Sequence, residues 1–150
     1  LNNIKIMKKI LINWFNTGNM PVLSSFALFV FRIVIGIFML THGYGKLRML
    51  FGSDPIQFAD PIGIGVNISL ALVVFAEFFC SIFLILGLAT RFASIPLLIT
   101  MLVAAFVFHA ADPFFQKELP LVYATIYLVI AIVGPGKISV DNWIYKNWNK

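Results

Sequence analysis

Apolar positions in this chain gather into four long runs separated by glycine, proline and charge. Ser24 to His42 (SSFALFVFRIVIGIFMLTH), Gly65 to Leu88 (GVNISLALVVFAEFFCSIFLILGL), Phe92 to Ala111 and Leu119 to Val133 carry almost no ionised side chains. A helix needs about 20 apolar residues to cross a hydrocarbon layer of roughly 30 Å. The pattern therefore predicts membrane spans at about 24–42, 65–88, 92–111 and 119–133.

The punctuation fits helices. Ser24 or Ser25 can cap the first span. The short GLATR turn, Gly87 to Arg91, makes the second and third spans antiparallel neighbours. Pro96 is tolerated in the early turns of the third span, Pro120 suits a first turn of the fourth, and Gly134-Pro135-Gly136 stops it. The fourth span is the shortest unless Phe114 and Phe115 extend it.

Two segments do not read as spans. Between Leu1 and Phe15, Ile4, Met7, Leu11, Trp14 and Phe15 share one helical face while Lys5, Lys9, Asn13 and Asn16 share the other. Residues 1–19 are thus expected to form an amphipathic interfacial helix on the headgroups, the plainer account being a frayed basic tail. The first 23 residues show a basic patch but no small-residue cleavage site after a compact apolar core, so the first span is expected to direct insertion itself. Gly43 to Ile64 (GYGKLRMLFGSDPIQFADPIGI) combines glycines, aspartates, two prolines and aromatics, and reads as a loop able to fold back as a partly buried lid.

Composition agrees with the pattern. Of 150 residues, 61% are hydrophobic and 11% charged, where a soluble domain is nearer a quarter charged, and the mean hydropathy is +0.96. The expected fold is an all-α integral membrane protein: an antiparallel bundle of four transmembrane helices over residues 20–145, followed by a tail at 146–150. The net charge of +5 does not point to nucleic acid, because the basic residues are scattered at helix ends and form no stripe with interleaved aromatics. They orient the chain instead. Lys5, Lys8, Lys9, Arg91, Lys137, Lys146 and Lys150 fall on one side of the predicted bundle, and Lys46, Arg48 and Lys117 on the other, so the positive-inside rule puts both termini in the cytoplasm. Cys80 is the single cysteine, which leaves no internal disulfide and no dithiol pair.

Arg32 and Glu77 stand inside spans, where an ionisable group costs a few kcal/mol unless it pairs or lines a wet cavity. Counted from the same end of the bundle, their depths differ by roughly 6 Å. That predicts an Arg32–Glu77 pair joining the first two helices; the plainer account gives such a pair only a packing role, and in a third Arg32 snorkels to the headgroups.

A second polar cluster is expected at the opposite end: His42 and Lys46 after the first span, His109 and Asp112 after the third, Lys117 and Glu118 before the fourth. If the first helix continues, His42 and Lys46 share a face. Two histidines on different helices also suggest haem ligation or, with Asp112 and Glu118, a metal site, but no spacing such as HxxxH supports either. Phe51, Phe58, Tyr44, Phe114 and Phe115 surround the cluster as pocket walls or as an aromatic belt.

From Phe29 to Asp141 the chain resembles the DoxX family of small four-helix bacterial membrane proteins. The resemblance rests on Arg32 and Gly36, THGYGK (Thr41 to Lys46), Glu77 leading to GLATR, KELPLVYA (Lys117 to Ala124) and GPGKISVD (Gly134 to Asp141). Pro120, in place of a small or aliphatic residue, and the amphipathic N-terminus depart from the usual pattern. The resemblance implies an inner-membrane bundle tied to redox physiology: a subunit or partner of an oxidoreductase system, holding a quinone or other lipid-soluble redox partner between its helices. Arg32 and Glu77 would form the buried polar wall, and His42, Lys46 and His109 would meet carbonyl oxygens or relay protons. The alternatives are a non-catalytic scaffold in a larger membrane complex and, further off, a proton-coupled carrier that would need a homo-oligomer to enclose a path. Whether the chain is itself an enzyme is not written in it.

Overall fold

The computed structural model describes residues 6–7 and 21–148, and every regular element among them is a helix. These are α1 (Val22–Phe51), α2 (Val66–Leu86), α3 (Thr90–Phe108), α4 (Phe114–Val133) and α5 (Val140–Trp148), the first four each long and apolar enough to cross a membrane. The interfacial helix expected within residues 1–19 lies outside the described residues apart from Ile6 and Met7.

Residues at helical spacing divide between core and lipid. Ile35 and Met39 of α1, Cys80 and Leu84 of α2, Ala93, Leu97 and Met101 of α3, and Tyr123, Ala124, Tyr127 and Ile130 of α4 meet in one buried cluster. The opposite faces are exposed and equally apolar: Ile68, Leu72, Phe75, Phe79, Phe83 and Leu86 run down α2, and Phe92, Ile95, Ile99, Leu102 and Phe106 down α3. Steps of three and four mark each as one helical stripe, and lipid is the solvent that such a stripe suits.

The helices pair as two hairpins. α1 lies along α2, and α3 along α4; the hairpins meet where Phe75–Leu86 packs on Thr90–Val103 of α3. Val66–Val74 packs closely on α1 alone. The hairpins therefore converge at the end holding the 87–89 turn and α5, here the terminal end, and diverge at the end holding residues 52–65 and 109–113, the loop end.

Small residues draw α1 onto α2. A Cβ on Gly36 would lie 2.6 Å from Ile85, and one on Gly43 would lie 2.6 Å from the Glu77 carbonyl carbon. Without hydrophobic drive between helices in lipid, such close backbone approach is what holds them. It also explains why α1 runs through THGYGK to Phe51, beyond the boundary expected at His42. Gly43 and Gly45 read as breakers in the sequence, but Gly43 is a contact residue of a continuing helix, and the expected loop at 43–64 begins only at Gly52.

The other boundaries shift less. α3 ends at Phe108, and α4 starts at Phe114, so Phe114 and Phe115 do extend it and Pro120 falls inside the helix. Beyond the GPG stop, the segment expected to trail away forms α5. The Asp141 carboxylate at its start accepts the amides of Ala89 (2.6 Å) and Thr90 (2.9 Å), and the Asp141 amide donates to the Gly87 carbonyl at 2.9 Å. This caps α3 from a distant part of the chain and fixes Ala89 at φ 46°, a conformation that costs a non-glycine residue.

Candidate functional site

The site begins with a local widening of α2. Phe75–Cys80 (FAEFFC) forms a π-helical turn, and a second one, Ala104–Phe108, closes α3. Such turns insert a residue into the α register and re-aim the side chains around them, often at functional positions. Here the first turn carries Glu77, whose side chain is only 3% exposed.

Glu77 does not pair with Arg32. Its partner is Lys46 of α1, whose Nζ donates to both carboxylate oxygens at 2.5 Å. The expected pairing fails on depth. Gly43 sets α1 against Glu77, and Arg32, three turns nearer the terminal end, is level with Leu84 instead. Counting from predicted helix ends missed this because α1 overhangs α2 and the count began from different levels.

Arg32 is fully buried, which also excludes the snorkelling alternative. Its guanidinium donates to the Leu84 carbonyl at 3.1 Å and the Ile138 carbonyl at 2.6 Å, within the field of Asp141. A Cβ on Gly87, which has φ 67°, would strike that guanidinium. Arg32 thus ties the end of α2 to the segment leading into α5. It is remote from the Glu77 wall.

Between the diverging hairpins lies a cavity of about 600 Å³, within the range that encloses a drug-sized molecule. Glu77 and Lys46 are set in its wall, His42 and His109 line it, and so do Tyr123 and Gln116. The remaining lining is largely apolar, with Met39, Leu72, Ile99, Met101 and Phe108 among it. Pro120 lines it too, and withholds the amide that would have bonded the Gln116 carbonyl one turn earlier. His109 Nδ1 donates to Asp112 Oδ2 at 2.7 Å, which fixes the ring and leaves Nε2 as its second functional nitrogen.

The connection after α1 crosses the loop end as a strap. Gln57, Phe58, Ala59, Pro61 and Ile62 line the cavity, and Asp60 in their midst pins the strap to the start of α2. Its carboxylate accepts from the Ser69 hydroxyl (2.6 Å) and the amides of Gly65 (2.7 Å) and Ile64 (3.1 Å). These bonds, the Ser69 hydroxyl first, hold the Asp60 carboxyl below its ordinary 3.8. The fold-back lid read from the sequence corresponds to this shorter strap.

Of the residues singled out in the sequence, the fold brings Glu77, Lys46, His42 and His109 to one cavity. It leaves Arg32 at the far end and Glu118 exposed outside the lining. Lys117 turns back to the Ala110 carbonyl at 2.7 Å. Tyr123, Ser69 and Asp60 were not foreseen; only the i, i+3 step from Pro120 hints at Tyr123. Among the described residues no three His, Cys, Asp or Glu side chains stand close enough together to hold a metal ion.

Residues 27–110 match the family model for DoxX. The chain is 29% identical over 135 residues to the inner membrane protein YqjF of Escherichia coli, covering 86% of this chain and all of that protein. It is 31% identical over 136 residues to an uncharacterized protein of Haemophilus influenzae, covering 86% of this chain and 98% of that one. No solved structure matches it.

Proposed function

The chain belongs to the DoxX family, and from that premise we propose that it serves as an inner-membrane partner of an oxidoreductase system whose cleft receives the head of a quinone-type molecule. One observation carries this reading. A buried glutamate paired with a half-buried lysine, and two histidines, face a largely apolar cavity at membrane depth. Lys46 offers a donor for a carbonyl oxygen, and Glu77, His42 and His109 are groups able to hold or pass the protons that accompany quinone reduction. The electron carrier belongs to the partner. The inner-membrane location follows the Escherichia coli relative, an inner membrane protein, and the orientation with both termini in the cytoplasm follows the charge count.

The test is the lipid extract and optical spectrum of the purified protein together with quinone titration of wild type and Glu77→Gln. Quinone in the extract and weakened binding by Glu77→Gln are expected. A wild-type protein that neither carries nor binds quinone rejects the reading.

A scaffold role is the second reading, favoured by the Arg32 clasp, which serves architecture rather than the cavity. Under it, Glu77→Gln leaves the partner system fully active, and a stoichiometric partner co-purifies with this chain.

A further inference from the structure

The cavity reaches the lipid-facing surface between α2 and α3. Leu72 belongs to the exposed stripe of α2 and Ile99 to that of α3, at 51% and 54% exposure, yet both line the cavity. Residues that do both mark the lips of the cavity; Phe108 and Leu119, at 55% and 57%, mark its other side. The opening exists because Val66–Val74 packs closely on α1 and not on α3.

The lips have a definite chemistry. Leu72 and Val73 form one side and Ile99 and Val103 the other, with no polar side chain among them. Leu72 is about 9 Å along α2 from its first residue, so the gap lies at hydrocarbon depth rather than at the headgroups. The opposite side of the cleft, between α1 and α4, differs: His42 and Gln116 stand there beside Leu119. The larger polar groups are thus gathered in the interior and on one side, and the α2–α3 gap is apolar but for the small hydroxyl residues Ser69, which bonds to Asp60, and Thr100.

We infer that the ligand is a single-tailed amphiphile that enters from the bilayer between α2 and α3 and keeps its hydrocarbon tail in that gap, its head against Lys46 and Glu77. This rests on the quinone-type reading of the cavity and adds the entry route and the tail. Lys46, Glu77 and the two histidines favour an occupant with a polar head over a bare hydrocarbon chain, and the largely apolar lips favour one that carries a tail. The strap pinned by Asp60 crosses the loop end, and the sideways gap offers an apolar route from the bilayer.

The experiment compares a dimethoxymethyl-benzoquinone with no tail and its decyl derivative, titrated against nanodisc-embedded wild type, Leu72→Trp and Ile99→Trp. Both substitutions fall on lipid-exposed positions, so the bundle tolerates them. Each is expected to weaken the decyl quinone about tenfold more than it weakens the tailless quinone. A decyl analogue with a diazirine at the tail end is expected to label α2 near Leu72 and α3 near Ile99. Equal weakening of both quinones, no weakening of either, or labelling confined to α1 and α4 overturns the portal while the head site stands. Wild type that binds neither quinone overturns the head-group reading and the portal together.

Discussion

Gly43 rests directly on the peptide unit of Glu77, so that any β-carbon there would sit 2.6 Å from the Glu77 carbonyl carbon and 2.7 Å from its oxygen. These atoms are backbone, which cannot swing aside. This contact sets the depth of α1 against α2 and, with it, the reach of Lys46 to Glu77.

Gly43→Ala is therefore expected to push the two helices apart and destabilise the protein by about 1–3 kcal/mol, the usual cost of overpacking. Thermal unfolding in detergent measures it. Gly45→Ala is the control, since its β-carbon would meet nothing within 4 Å; equal loss at both positions would show that helix packing at Gly43 is not the cause.

Lys46→Met leaves Glu77 buried without its cation. Removing one partner of a buried pair costs about 3 kcal/mol or more, and the double variant Lys46→Met with Glu77→Gln is expected to recover most of it. A double-mutant cycle by thermal unfolding checks this. Additive losses would mean that the two side chains do not stabilise each other.

At the terminal end, Arg32→Ala removes two hydrogen bonds from a charged donor and is expected to cost about 3 kcal/mol and lower abundance in the membrane. Quinone binding by the protein that does fold should be unchanged, because Arg32 does not line the cavity. Lost binding with normal abundance would contradict that separation.

The strap should loosen in acid. Folding lowers the Asp60 pKa below its ordinary 3.8, so its bonds to Ser69, Gly65 and Ile64 contribute fully above that ordinary value and are lost as pH falls through the lower folded value. Hydrogen exchange at the Gly65 amide, taken relative to its intrinsic rate at each pH, is expected to be flat from neutrality to about pH 4 and to rise below it. Asp60→Asn should raise exchange there already at neutral pH. A rise centred near pH 6 would point to a histidine instead.

The four spans were legible because apolar runs of membrane length have few other uses, and the two buried charges stood out for the same reason. Their partners were not legible. Glycine lowers helix propensity in water and marks a turn in the sequence, whereas in lipid Gly43 allows contact, so the helix continues and brings Lys46 to Glu77. The depth of Arg32 depended on the same offset. His42 and His109 were placed at one end correctly by the alternation of helix direction alone. Tyr123 and the strap were hidden because the π-helical turns and the divergence of the hairpins are tertiary outcomes, with no period of their own in the chain.

The Arg32 clasp has a consequence for the order of assembly. Arg32 lies in α1, but one of its two acceptors, Ile138, is 106 residues further along, and the carboxylate that caps α3 follows its amides by about fifty. While the chain is emerging, the guanidinium has at most the Leu84 carbonyl, and the 87–89 turn has no cap. Completion of the C-terminal segment satisfies both at once. A nascent bundle shortened before Ile138 would hold four inserted helices with the Arg32 guanidinium short of one acceptor and the start of α3 uncapped.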